Sequence, residues 1–316
     1  MNEKESDLET LFITLEEEGE RLDKILSTRF RNVQSRTYFQ KLIQDHLVLL
    51  NGSPVKKRAR PREGDEIEVE FALSPEISLE PEDIPIDILY EDEHLIAINK
   101  PSGMVVHPAP GHRSGTFVNA LLYHCQKQGI VLSSTEHTHR PGIVHRLDKD
   151  TTGVLVAAKT SQTHQKLVEL FSNRKVHKEY LAICLGSPGR GTVENAIGRH
   201  SADRKKMAVV SNGGRHAVSN YATEKHNKEL SLVRVQLVTG RTHQARVHLK
   251  HLGTPVLGDP VYGSVKANDR FQIHRQMLHA EVLKFIHPVT GATLWLKAPP
   301  PQDLQYWIDF LKSEKK

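Results

Sequence analysis

The sequence predicts an α+β protein in two parts: a small α/β domain at the N-terminus, and a larger domain whose helices flank a mixed, largely antiparallel sheet. Three observations point there. Strand-like and helix-like stretches follow one another without a regular βαβ rhythm and without the glycine-rich loop of a phosphate-binding parallel sheet. A chain of 316 residues with 38% hydrophobic content buries an ordinary core, and its length favours two domains over one. The third observation is charge: the net +5 is a remainder of four blocks. Residues 1–20 hold one Lys and eight acids, residues 21–62 eleven Lys/Arg and two acids, residues 63–93 thirteen acids and no base, and residues 94–316 31 Lys/Arg and 15 acids. The implied division is an acidic tail over 1–18, a small domain over 19–73, an acidic linker over 74–87 with Pro75, Pro81 and Pro85, and a large domain over 88–316.

In the small domain, Leu22, Ile25, Leu26 and Phe30 share one helical face, with Lys24, Arg29 and Arg31 off that stripe. Ser35 is a candidate N-cap for a second helix, in which Phe39, Leu42 and Ile43 repeat the spacing while Arg36 and Lys41 face elsewhere. Residues 47–55 read as a strand and a turn at Asn51-Gly52, and the bases Lys56, Lys57, Arg58, Arg60 and Arg62 follow at once. Ile67, Val69 and Phe71 then alternate with acids as a half-exposed strand. Two basic modules separated by an acidic connector suit a polyanionic partner held by two surfaces, the plainer alternative being solvated charge with no partner.

Other classes fall away. No apolar run approaches the roughly 18–20 residues of a bilayer span, so no membrane partner is expected. The acidic Met1–Glu20 segment is unlike a secretory or transit peptide. Cys125 and Cys184, far apart and in no CxxC pair, give neither a disulfide framework nor a structural zinc site. His243 and His248, without a carboxylate at ligand spacing, make no metal site either. The expectation is a cytoplasmic, monomeric enzyme or binding protein with no metal.

The large domain opens with two strands over residues 88–100, around a turn at Glu91 to Glu93. Helical spacing predicts helices over 116–126, 161–172, 242–252 and 302–311; strands are expected over 153–158, 180–185, 230–237 and 293–296. The sharpest feature is Gly142-Ile-Val-His-Arg-Leu-Asp-Lys-Asp-Thr-Thr-Gly153, a polar loop feeding an apolar strand. Within it Asp148 stands among the bases Arg146 and Lys149, which favours a charged carboxylate suited to a nucleophile or base. On spacing alone, a turn former or a salt-bridge partner fits that Asp as well.

The N-terminal pattern over residues 19–73 resembles the S-four RNA-binding domain. That resemblance implies that Arg21, Arg36, Lys41 and the 56–62 bases contact RNA phosphates and helix shape rather than base sequence. His145-Arg-Leu-Asp-Lys-Asp-Thr-Thr-Gly153 is similar to the signature of the RluA/RluD family of pseudouridine synthases. Further segments match that family in order: His177-Lys-Glu-Tyr-Leu-Ala182, Thr239-Gly-Arg-Thr-His-Gln-Ala-Arg-Val-His248, Leu257-Gly-Asp-Pro-Val-Tyr-Gly263 and Arg275-Gln-Met-Leu-His-Ala280. Ala245 departs from it, standing where the family usually has a larger apolar residue.

Carried over, the resemblance implies that Asp148 is the catalytic aspartate, that Tyr180 stacks on the target uracil, and that Arg241 pairs with the Asp. Arg146 fills the gap left by a flipped base, His145 joins it among the substrate-facing residues, and Leu257 helps keep water out. The implied activity is isomerisation of uridine in structured RNA, most naturally large-subunit ribosomal RNA, with no cofactor. A silent RNA-binding or ribosome-assembly factor with the same fold is the rival. A nucleoside or glycoside hydrolase would need a second carboxylate for acid work, and Asp150 matches no such position.

Overall fold

Apolar residues three and four apart build the first unit of the computed structural model, which describes residues 7–30, 36–56, 58–71, 79–108, 114–132, 141–200, 203 and 206–313. Helices α1 (Leu22–Arg29) and α2 (Arg36–Gln44) bury Leu22, Ile25, Leu26, Phe39, Leu42 and Ile43 against a four-stranded antiparallel sheet. Its strands are β1 (Asp7–Phe12), β2 (Val48–Leu50), β3 (Ser53–Pro54) and β4 (Glu66–Phe71), in the order β1-β4-β2-β3. Asn51 and Gly52 both take positive φ, 50° and 70°, so the β2–β3 turn needs the two residue types that tolerate it. Ser35, Arg31 and Lys57 lie outside the described residues.

Both acidic segments differ from the expectation of a tail and a linker. Within the 1–18 segment β1 is a sheet strand, pairing Leu11 with Ile67, and Leu11 and Ile13 are buried while Glu9 stays in water. A charge count registers the acids of such a segment and overlooks the apolar residues, Leu11 and Ile13, that it buries. Residues 74–78 lie outside the described residues, whereas 79–87 belong to the second unit. Ile84 and Ile86 pack against the core cluster that includes Phe117 and Leu121, and the Glu80 carbonyl accepts from Asn119 Nδ2 at 2.8 Å.

The second unit is built on a ten-stranded sheet: β5 (Ile88–Glu91), β6 (Leu95–Lys100), β7 (Thr152–Ala158), β8 (His177–Leu185), β9 (Arg190–Arg199), β10 (Met207–Val210), β11 (Arg215–His226), β12 (Leu230–Leu237), β13 (Leu278–Ile286) and β14 (Thr293–Lys297). The path is β10-β9-β11-β12-β8-β13-β7-β6-β5, with β14 also on β13. Among the described residues every pairing is antiparallel except β7 with β13. Helices α3 (Phe117–Lys127), α4 (Ser161–Ser172), α5 (Gln244–His251), α6 (Val265–Phe271) and α7 (Gln302–Ser313) complete the unit.

The sheet forks at β13. Its His279 and Ala280 pair with Thr152 and Gly153 of β7, after which the same edge turns to β14 from Val282 to Ile286. At the fork, a Cβ on Gly153 would sit 2.2 Å from the Ala280 carbonyl oxygen, so only glycine lets the two backbones approach. Strands β9, β10, β11 and β13 and helix α6 were not legible in the periodicity. In β11 the inward positions include Ala217 and Ser219, too small and polar to register as an apolar face.

Candidate active site

The loop 142–153 runs between two glycines at positive φ, each against backbone. A Cβ on Gly142 would lie 2.5 Å from the Ala158 carbonyl oxygen, and the Gly142 carbonyl accepts from Ala158 N at 2.8 Å. The loop thus starts against the far end of β7 and re-enters that strand at Gly153, with Leu147 buried in the core beneath it. Lys100, fully buried, donates from Nζ to the carbonyls of Pro101, Met104 and Lys149 at 2.8, 2.9 and 2.8 Å. Burial pulls its pKa down to about 7, against the charges of Asp150 and Asp148, yet three carbonyl acceptors call for the three N–H groups of the ammonium. Buried charge therefore fixes the loop one residue from Asp148.

Asp148 keeps about a fifth of its side chain exposed while its partner is buried. Arg246 Nη1 donates to Asp148 Oδ2 at 2.9 Å, and Arg246 Nε and Nη2 donate to Asp259 at 2.7 and 2.9 Å. Burial alone would raise the Asp259 pKa; the bidentate Arg246 and the N–H groups of Val261 and Tyr262 outweigh it and hold the pKa below the usual carboxylate range. The same two carboxylates keep Arg246 protonated.

Helix α5 brings a second group. His243, in the left-handed region at φ 58° as N-cap, points Nε2 to within 3.7 Å of Asp148 Oδ1. Its Nδ1 lies 2.8 Å from the Tyr262 hydroxyl, whose oxygen also accepts from Met207 N at 2.9 Å. With that acceptor role taken, the hydroxyl is free to donate to Nδ1, which leaves the Nε2 proton facing Asp148. Burial, ahead of the neighbouring charges, lowers the His243 pKa.

Of the residues expected from the sequence, Tyr180 lies in β8 between Val235 and Ala280, partly buried, with its phenol pushed well above the usual range by burial first and by the Asp148 charge second. It and Asp148 therefore share one site. Arg146 is exposed, with no hydrogen bond or ion pair among the described residues. Arg241 does not hold the Asp. Its Nε donates to the His216 carbonyl at 2.9 Å, and the pairing expected of it falls to Arg246, which stands inside α5 while Arg241 precedes the helix.

Two further expectations change. His145 is engaged by the protein itself: its Nε2 accepts from Val156 N at 2.9 Å on the β7 edge that β13 has left, its ring stacks on Phe171, and burial drops its pKa to about 3. Leu257 is fully buried among Leu181, Ile183, Leu230 and Met277, so it supports the site as core and cannot touch a substrate. In the first unit Arg21 and Arg36 each bind the buried Asp23 with two nitrogens, at 2.9–3.0 and 3.0–3.1 Å, and Lys41 is exposed on α2.

Arg246, Asp259, His243, Tyr262 and Lys100 were missed as site residues. The quoted motifs contained four of them; the available signal was helical spacing, since Arg246 follows His243 by three positions and so shares its face. Among the described residues no group of three or more His, Cys, Asp or Glu is placed to hold a metal ion.

The family model described as RNA pseudouridylate synthase matches residues 94–251, and that of the S4 domain matches residues 20–67. A ribosomal large subunit pseudouridine synthase D of Zymomonas mobilis is 44% identical over 95% of this chain and 96% of its own. The protein of the same description in Escherichia coli O6:H1 is 40% identical over 94% and 92%. An uncharacterized RNA pseudouridine synthase of Bacillus subtilis is 42% identical over 94% and 96%. Among solved structures, human RNA pseudouridylate synthase domain containing 4 superposes with a TM-score of 0.56 at 29% identity, covering 72% of this chain and 94% of that one. Family model, near full-length relatives and a matching fold converge on the segment that carries Asp148: the chain belongs to the RNA pseudouridylate synthase family and is an isomerase of uridine in RNA.

Proposed function

We propose that the chain forms pseudouridine in large-subunit ribosomal RNA in the cytoplasm, with Asp148 meeting the target nucleotide and the N-terminal unit adding a second hold on the RNA. The observation that carries the reading is the half-open ion pair. Asp148 is presented to solvent by a guanidinium that is itself 5% exposed and locked by Asp259. A carboxylate held in this way is oriented before substrate arrives, which spares reorganisation during the reaction. The substrate class follows the relatives described as ribosomal large subunit pseudouridine synthase D, which align over nine-tenths or more of both chains.

The reaction breaks the bond from ribose C1′ to a uracil nitrogen, turns the base, and joins C1′ to a ring carbon. That carbon loses its hydrogen and the freed nitrogen gains one, so the isomerisation balances with no oxidant, reductant or water. Attack on C1′, addition to the ring and removal of a ribose proton each use one carboxylate, and Asp148 supplies it. To reach Asp148 the uridine leaves its stack, at a cost of a few kcal/mol. Stacking on Tyr180, at about 1–3 kcal/mol, and insertion of the exposed Arg146 offset that cost.

The test is pseudouridine mapping of ribosomal RNA from cells lacking the gene, complemented with wild type or with Asp148→Asn. Large-subunit positions that only the wild type restores are expected. Restoration by the variant would remove Asp148 from the chemistry, and an unchanged large-subunit map would remove the substrate.

A further inference from the structure

Three lysines are buried among the described residues of the second unit, and two of them are fully engaged. Lys100 has its three carbonyls; Lys159 donates to Glu91 Oε1, the Asp92 carbonyl and Gln128 Oε1 at 2.7, 2.7 and 2.9 Å. Lys178 is the exception: 8% exposed, it has neither a hydrogen-bond acceptor nor a carboxylate among the described residues. Its stem is buried while Nζ itself still reaches solvent, so an ammonium with no protein acceptor is placed to meet an anionic ligand from outside.

What surrounds Lys178 makes the deficit larger. Burial first, then the charges of Arg241 and Arg174, pull its pKa down to about 8. Its Nζ lies beside Gly240, where an added Cβ would be 3.8 Å away. Arg241, tied by Nε to the His216 carbonyl, is itself lowered by burial and by Arg215 and Arg174. Arg174 follows α4 at φ 59°, a left-handed conformation that favours glycine, and no hydrogen bond or ion pair holds its side chain among the described residues.

The group also borders the reaction site. Lys178 precedes Tyr180 by two residues on β8 and so faces the same side of the sheet. Arg241 precedes His243 by two, and His243 Nε2 lies 3.7 Å from Asp148. Uracil is neutral and cannot answer these charges, whereas the strand that carries it bears one negative charge per nucleotide.

We propose that Arg174, Lys178, Arg215 and Arg241 form a cradle for consecutive backbone phosphates of the RNA strand on which the target uridine lies, an inference that rests on the RNA reading above. The cradle seats the strand and Asp148 acts on the nucleotide beside it. Arg241, absent from the Asp148 ion pair, has its role here.

The experiment measures binding of the full chain, in an Asp148→Asn background, to a fluorescein-labelled uridine-containing RNA stem-loop across a potassium chloride series. Lys178→Met, Arg174→Ala and Arg241→Ala are each expected to flatten the slope of log affinity against log salt by about 0.7, the value for one single-strand phosphate contact. With Asp148 intact, the loss on an unmodified large-subunit ribosomal RNA transcript falls on KM, with kcat changed less than KM. Lys178→Arg keeps the slope. Lys178→Met, which removes a charge repelled by Arg241 and Arg174, raises the thermal midpoint of the free protein; a purely structural lysine would lower it. An unchanged slope in all three variants, or a loss confined to kcat, overturns the cradle. A slope that falls as expected supports it even if the transcript is not converted, a result that would sink the proposed function alone.

Discussion

Arg246 reaches Asp148 through a single nitrogen, Nη1 at 2.9 Å, because Nε and Nη2 are committed to the buried Asp259. One planar guanidinium thus joins a fully buried carboxylate to a partly exposed one. A lysine is a point charge and cannot serve both. Arg246→Lys is expected to lower kcat/KM by 100-fold or more, about 2.7 kcal/mol. Arg246→Ala, which leaves Asp259 buried without its cation, is expected to destabilise the fold by about 3–5 kcal/mol in urea titration. Wild-type turnover by the lysine variant would show that orientation of Asp148 does not depend on this bridge.

The fork of the sheet at Gly153 is the second sensitive point. Gly153→Ala puts a methyl 2.2 Å from the Ala280 carbonyl, at φ 112°, and about 3 kcal/mol or more of stability should go with it. Gly291→Ala is the control. It has a comparably positive φ, 74°, but open space, so only the conformational cost of about 1 kcal/mol is expected. Equal midpoints for the two variants would refute the close-approach argument.

Lys100→Met keeps the volume and removes the three donors that hold the Pro101, Met104 and Lys149 carbonyls. The Pro101 and Met104 carbonyls, left without a donor, cost about 1–3 kcal/mol each, while Lys149 keeps the Gly103 N–H. Because Lys149 follows Asp148, turnover should fall along with stability. Amide exchange at Gly103, whose N–H donates to the Lys149 carbonyl at 3.0 Å, should quicken first. Unaltered exchange there would separate Lys100 from the loop.

Acid should unfold the second unit from below about pH 6.5. His145 and His248 are used as neutral rings and have folded pKa values of about 3 and about 4, below the 6.5 of the free side chain. His145 Nε2 accepts from Val156 N, and His248 lies 2.8 Å from Ser219 Oγ and 3.1 Å from Asn195 Oδ1. For a base whose folded pKa is depressed, the unfolded chain binds the extra proton, so stability is intact above 6.5 and declines as pH falls through the window. A urea midpoint that stays flat from pH 7 to 5 would contradict this, and His248→Gln should shrink the pH dependence.

In the first unit, Asp23 accepts from Arg21, Arg36 and Gln40 while fully buried, and those bonds hold its pKa far below the usual range although burial opposes them. Asp23→Ala frees both arginines to solvent. A loss of about 1–3 kcal/mol and weaker RNA binding are expected together, the second because the guanidinium groups are no longer held side by side. Full RNA affinity in a folded Asp23→Ala protein would mean that their clamping is irrelevant to RNA.

Long periodic segments were legible: Ser161–Ser172 and Leu230–Leu237 fall where the spacing placed them, as do α1, α2 and the Asn51-Gly52 turn. Strands β9 and β11 were not. A sheet strand whose inward residues are small or polar, such as Ala217 and Ser219, draws its stability from neighbours that no local pattern reveals.

The sequence by itself determined the position of Asp148, through the resemblance of His145–Gly153 to the family signature, and the division of charge that points to a polyanion. Only the tertiary structure decided which arginine serves it. Arg241 and Arg246 are equivalent as letters in one motif, but Arg246 lies within α5, on the buried face it shares with His243, while Arg241 stays outside the helix among other cations. Ion pairing depends on where a backbone places a guanidinium relative to a carboxylate 98 residues away, and that distance is a property of the folded sheet.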